Sequence, residues 1–340
     1  MPSEKSSQRA ASSQPAEPAP QDLPPSYENV VPAISTPSNI PPSIRIPSQN
    51  PLDAIYRLGL VALAKYGVSQ GKWSKDLASI TTTKPELSET EYELVRFIHE
   101  QAALPPKPLM LIHGEHSRGG ENVIDFEILI NLTSLLDITG TSAQSRTHVK
   151  PFDDSSSPRS SRNSNRTPLE QWIKKFCEEK VENKSFTLHR QVTNLPGQIL
   201  EGMVRTLVAS TKYRGKLTVS FPVQYTDVIV SRQGGNWFTN MLRLSPTKKY
   251  EVVEAVWDVA ASSGAERSSA SANANDHSAR ERNGRAGLIA QEWWREWQYA
   301  IYNGVLTGRK GWVTVEDWME AKMGVRVTER NRDWGVDWEG

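Results

Sequence analysis

Between residues 124 and 132 the chain alternates with a period of two. Ile124, Phe126, Ile128, Ile130 and Leu132 fall on one face of an extended strand, and Asp125, Glu127 and Asn131 on the other, with Leu129 the exception. A helix would scatter the same residues around its circumference. β-Branched and aromatic side chains dominate the apolar row, so local preference agrees with the period and predicts a long antiparallel strand with one face in a core. A strand of that length needs partners on both edges, which restricts the chain to folds built around a sheet.

Further strand signals lie on either side. Residues 109–112 are a short apolar run, followed by a loop expected over residues 113–122, where Gly119 and Gly120 suit a hairpin. Phe186, Leu188 and Val192 alternate, as do Leu217, Val219 and Phe221 before Pro222, and residues 228–230 suggest a short strand. Residues 237–244 and 250–259 flank Ser245-Pro246-Thr247 as a hairpin, although Trp237, Met241 and Leu244 also fit a helix face.

Helix signals are interspersed. Asn50 precedes Pro51 and Asp53 as a cap, with Leu52, Ile55, Tyr56, Gly59 and Leu63 as the expected buried stripe and Gly67 at the exit. Ser88 and Glu91 have capping-box spacing ahead of Leu94, Val95, Ile98 and Ala102, and Pro105-Pro106 ends that run. Thr167-Pro168-Leu169-Glu170 opens a third helix, with Leu169, Trp172, Ile173, Phe176, Cys177 and Val181 recurring at helical spacing. Ile199, Leu200, Met203, Val204, Leu207 and Val208 make the clearest helical stripe. Residues 288–302 carry Trp293, Trp294 and Trp297, with Trp294, Trp297 and Ile301 expected to point one way, and Thr314 with Asp317 opens a last helix ending near Gly324. Alternating strands with helices between them predict an α+β fold, an antiparallel or mixed sheet covered by helices.

Not all 340 residues take part in that fold. Residues 1–49, about 140–166 and about 262–285 are dense in Ser, Pro, Ala, Asn, Arg or Gly and nearly free of large apolar side chains, too little to offset the entropy of ordering. They read as a disordered Pro-rich tail and two low-complexity insertions in a globular domain spanning residues 50–340. The formal charge of +1 gives no basic footprint for nucleic acid, and no apolar run has the length of a membrane span. With one cysteine, Cys177, there is no internal disulfide framework, so a cytoplasmic or nuclear protein is expected.

The sharpest local motif is Leu23-Pro24-Pro25-Ser26-Tyr27. It matches the PPxY pattern that WW domains recognise, their aromatic groove taking the proline helix and a second pocket the tyrosine. Tyr27 is the sole aromatic residue before Tyr56 and has no nearby core to join. His113-Gly114-Glu115-His116, with Glu121 beyond, gathers zinc-ligand chemistry, but its spacing is not that of the zinc proteases. Cys177 falls on an apolar stripe and reads as a small core residue. No nucleophile elbow, phosphate loop, dinucleotide fingerprint or kinase set is present, and no cofactor is expected.

In its layout the chain resembles uncharacterised filamentous-fungal proteins that join a Pro-rich, PPxY-like N-terminus to an α+β body with low-complexity insertions. Gly119-Gly120-Glu121-Asn122-Val123-Ile124-Asp125-Phe126-Glu127 is the most recognisable stretch. The resemblance brings no activity with it. The expectation is a non-enzymatic intracellular adaptor that binds a WW-domain protein, of ubiquitin-ligase type, through Leu23, Pro24, Pro25 and Tyr27. The alternative is an enzyme or a small-ligand or metal-binding protein with its site near residues 113–122, where His113, His116 and a carboxylate would converge.

Overall fold

In the computed structural model the alternating segment is the strand β4 (Glu121–Asn131), paired antiparallel with β3 (Lys107–Arg118). The loop expected over residues 113–122 is therefore mostly strand. Gly119 and Gly120 alone make the turn, with φ of +59° and +83°, a primed turn that matches the twist of the strands and that side chains with a Cβ resist. The structure describes residues 48–138, 146–152, 166–181, 183–233, 248–259, 274–325 and 334–335. All of these belong to one compact unit that begins at Ile44.

The α+β class is observed. In chain order the elements are α1 (Pro51–Gly59), β1 (Gly71–Trp73), β2 (Ser79–Thr82), α2 (Pro85–Glu89), α3 (Glu91–Ala102), β3, β4, β5 (Thr147–Val149), α4 (Pro168–Glu178), β6 (Asn183–Thr193), α5 (Gly197–Ser210), β7 (Lys216–Ser220), β8 (Val223–Gln224), β9 (Asp227–Gln233), β10 (Lys248–Asp258), α6 (Ala274–Thr307), β11 (Lys310–Trp312) and α7 (Val315–Lys322). They build two mixed sheets. One is six-stranded in the order β1-β2-β9-β6-β10-β5, and the other runs β11-β4-β3-β7 with β8 also on β3.

Each sheet has its own core. Phe126, Ile128 and Ile130 of β4, with Met110 and Ile112 of β3, pack against α5, α6 and α7. Phe186 and Leu188 of β6, with Val228, Val230, Val253 and Ala255, pack against α3 and α4. Trp297 and Ile301 are buried in the first core as expected, but the third member of that row is the fully buried Trp293, one helical turn before Trp297, and Trp294 is half-buried at its margin.

The central strand departs from its pattern at one point. Gly114 pairs with Phe126 and Glu115 with Ile124, so Asp125 is an extra residue on β4, a bulge that reverses in-out parity toward the turn. Ile124, expected in the buried row, is accordingly 39% exposed. Gly114 allows the close approach there, because a Cβ on it would lie 2.3 Å from the ring of buried Phe126.

Other expectations are corrected by packing. In α1, Asn50 Oδ1 accepts from Leu52 N at 2.9 Å, as capping requires, yet the helix buries Pro51 and Ala54 and leaves Leu52, Ile55, Tyr56 and Leu63 at least half exposed. It also ends at Gly59, and a separate 3-10 turn follows over Leu63–Tyr66. The N-cap of α3 is Thr90. Ser88 sits inside α2 and donates its hydroxyl to Pro85 O. Part of the first insertion is structured, since β5 hydrogen-bonds to β10 and Phe152 packs on Trp172 at 4.8 Å. α6 begins within the second, at Ala274, ahead of the apolar stretch expected to form the helix. Residues 237–244 lie outside the described residues, and β10 pairs with β6 and β5. No helix among the described residues is long and apolar enough to cross a membrane.

Candidate functional site

The apolar stripe of α5 is too wide for a single contact. On a helical projection Leu200, Val204 and Val208 cover one side and Ile199, Met203 and Leu207 continue it over a further quarter of the circumference. The sheet takes the first set, which is fully buried. The second set is left to line a groove against α6.

That groove has a volume of about 900 Å³. Its α5 wall is Ile199, Gly202, Met203, Thr206, Leu207 and Ser210, and its α6 wall includes Trp294, Gln298, Tyr299 and Tyr302. Ala321 and Val325 close one side. Spacings of three and four residues along both walls are those of helix faces, and from Ile199 to Ser210 the α5 wall extends about 16 Å at the usual rise. Two polar groups in it are already satisfied. Thr206 Oγ1 donates back to Gly202 O at 2.9 Å, and Asn303 donates to Val325 O at 2.9 Å. What the groove offers a ligand is therefore mainly apolar surface, with an aromatic indole and two phenols on one wall.

Gly202 has no space-filling explanation in the fold. A Cβ there would meet nothing within 4 Å, and its φ is ordinary for a helix. Glycine in an exposed helix interior costs about 1 kcal/mol relative to alanine. Its effect is to deepen the groove between Ile199 and Thr206, so that another backbone can approach.

The histidines expected near residues 113–122 do not converge. His113 lies on the outer face of its sheet, with Nε2 3.5 Å from Glu115 and Nδ1 3.4 Å from Glu127. The hydrogen bond from Lys216 holds the Glu115 carboxyl below its usual range. His116 points to the other face, where the bulge has turned Asp125 inward. His116 Nδ1 is 2.8 Å from Asp125 Oδ2, and Tyr213 Oη donates to the same oxygen at 2.9 Å. The Tyr213 ring lies 5.1 Å from Phe126 and 4.5 Å from Trp334, so this trio sits at the margin of the core as a hydrogen-bonded brace for the bulge. Glu121 is exposed at the start of β4. Among the described residues no group of three or more His, Cys, Asp or Glu side chains is placed to hold a metal ion.

Cys177 is half-buried beside the second core, and burial pushes its thiol up to about 11. The thiol is thus protonated at neutral pH, the state of a packing residue. Leu23, Pro24, Pro25 and Tyr27 lie outside the described residues. The groove was legible only as excess, six apolar positions where one contact would use three or four. Compared with known proteins, the chain matches no family model, no curated protein and no solved structure.

Proposed function

We propose that the protein is a non-enzymatic adaptor. Its folded part holds an amphipathic helix of a partner in the α5–α6 groove, and Leu23, Pro24, Pro25 and Tyr27 bind WW-domain proteins. The observation that carries the first half is the groove itself: two parallel rows of apolar side chains at helical spacing, about 16 Å long, with a glycine in its wall. A helix laid between two others meets this geometry through anchors at i, i+4 and i+7. Met203 favours the same occupant, since a flexible thioether adapts to varied apolar partners.

A second apolar surface supports the adaptor reading. α1 turns Leu52, Ile55, Tyr56 and Leu60 outward, between 50% and 75% exposed, while burying its smaller residues. A patch of large side chains on one helix face marks an interaction surface.

The two halves are tested separately. A panel of amphipathic helical peptides with Leu, Phe or Met anchors is titrated by calorimetry against the full chain and its Met203→Glu variant. Binding with a negative heat-capacity change is expected, weakened about tenfold or more by the substitution, since a carboxylate would be buried unpaired. Because Met203 is only half-buried, the melting temperature should stay put. No heat with any peptide, or equal binding by both proteins, overturns the groove reading. For the tail, a peptide spanning residues 21–31 should bind a WW domain at roughly micromolar Kd, about 8 kcal/mol, and Tyr27→Ala should remove most of that affinity. Equal binding by both peptides across a WW panel would reduce the motif to a coincidence of composition.

A further inference from the structure

Among the described residues, α5, α6 and α7 pack on the inner face of the five-stranded sheet. On the outer face the register places Lys107, Leu109, Leu111 and His113 of β3 beside Glu127, Leu129 and Asn131 of β4 and Lys310 and Trp312 of β11. Asn131, Thr218, Lys310 and Trp312 are exposed there, Leu111, His113 and Leu129 are half-buried, and Leu109 is buried. The exposed part of this face, around Trp312, is a surface on which a planar ring can stack.

One end of that face carries a row of aromatic and cationic groups. Trp73 lies 4.9 Å from the Tyr225 ring, Lys107 Nζ is 6.0 Å from the same ring, and Lys107 Nζ is 4.4 Å over Trp312. The carboxylates of this face are already engaged, Glu115 by Lys216 and His113, and Glu127 by His113. Among the described residues neither Lys107 nor Lys310 has an ion-pair partner. Partial burial also lowers the Lys107 pKa, as expected for an ammonium that lacks a compensating anion.

The row is held rigid from beneath. Tyr225 has φ of +60°, a left-handed conformation that costs an aromatic residue free energy and persists only where its surroundings enforce it. They do so here: Tyr225 N donates to Leu77 O at 2.8 Å, and Arg190 Nη1 donates to Tyr225 O at 3.0 Å. Arg190 is 2% exposed, and its other hydrogen bonds go to Gln101 O and Gln101 Oε1, both neutral acceptors. It also lies 5.7 Å from the Tyr66 ring, which in turn is 5.0 Å from Tyr225. A buried guanidinium on neutral acceptors adds positive potential under a strained, clamped aromatic ring.

We infer that Trp312, Lys107 and Tyr225 form a binding site for a planar ring bearing a phosphate, a nucleotide-type ligand whose ring stacks on the Trp312 face that Lys107 does not cover and whose phosphate meets the Lys107 ammonium. With a formal charge of +1 the protein has no long-range pull on a polyanion, which favours a free nucleotide over a strand. This inference is independent of the groove.

The test is a titration of the full chain with fluorescent mant-labelled mononucleotides, with unlabelled nucleotide, nucleoside, inorganic phosphate and a short single-stranded oligothymidylate as competitors. Saturable binding is expected, weakened about tenfold by Trp312→Ala and by Lys107→Gln and largely retained by Trp312→Phe. Nucleoside and phosphate alone should each compete about tenfold less well than nucleotide. Thermal unfolding of each variant checks the fold, and Trp312→Phe separates a lost ring from a damaged strand. Absence of saturable binding up to roughly millimolar nucleotide, or equal binding by wild type, Trp312→Ala and Lys107→Gln, overturns the site. Oligothymidylate competing about tenfold better than mononucleotide would overturn the choice of a free nucleotide as the ligand's source.

Discussion

At the scale of single residues, burial and paired charges decide what each position tolerates. Ile128 is 0% exposed in the first core, whereas its neighbour Glu127 has a side chain 41% exposed. Ile128→Asp places an unpaired carboxylate among hydrocarbon, and a loss of about 4 kcal/mol or more is expected, against at most about 1 kcal/mol for Glu127→Lys. Urea denaturation of both variants checks this, and equal losses would reverse the assignment of the two faces. Cys177 is predicted from the same reasoning to alkylate about 100-fold more slowly at pH 8 than a free cysteine, because only the thiolate reacts. Its burial holds the thiol at about 11. Iodoacetamide labelling in buffer and in denaturant decides the point, and equal rates in both would contradict it. The inward row of β4 was legible from residues 126 to 132, where side chains alternate without interruption. It failed at Ile124 because a bulge is a property of the pair Gly114 and Phe126 across two strands, and no single-strand pattern carries it.

At the scale of elements, caps were read well where they are local and poorly where packing decides. Thr167 and Glu170 exchange the two hydrogen bonds of a capping box, as their spacing implies, and Thr314 with Asp317 does the same. The other end of α4 has a cap that spacing could not suggest. Lys184, fully buried on β6, donates to Phe176 O, to Cys177 O at 3.3 Å and to Glu179 O at 2.9 Å, closing the helix with a positive charge at the negative end of its dipole. Lys184→Met keeps the bulk but orphans those carbonyls, and a loss of about 1–3 kcal/mol is expected by chemical denaturation. An unchanged midpoint would mean that water replaces the ammonium there. α1 failed for the opposite reason: its stripe was correctly recognised as apolar, but periodicity states which residues share a face and is silent on whether that face meets the core. The strands β1, β2 and β5 went unread because three or four residues are too few to establish a period.

At the scale of the whole molecule, the strand order was out of reach of local pattern. β6 pairs in parallel with β10, and β2 with β9, joining segments far apart in the chain, so contacts of that kind are set by the two cores and not by neighbouring residues. The same holds for the groove, which exists only because α5 and α6 meet over the five-stranded sheet. Occupancy of the groove by a partner helix is read directly from the ¹³C-methyl methionine spectrum of the full chain during titration with amphipathic helical peptides, in wild type and in Gly202→Leu. Met203 lines the groove and Met110 is fully buried in the core, so the two methyls report on the site and on the fold. Leucine at position 202 has open space around its Cβ and gains about 0.8 kcal/mol of helix propensity, so the variant should fold at least as stably while filling the groove. A saturable shift of the Met203 methyl with Met110 unmoved is expected, with loss of that shift in Gly202→Leu. A Met203 methyl that no peptide perturbs, or one that shifts equally in both proteins, would contradict it.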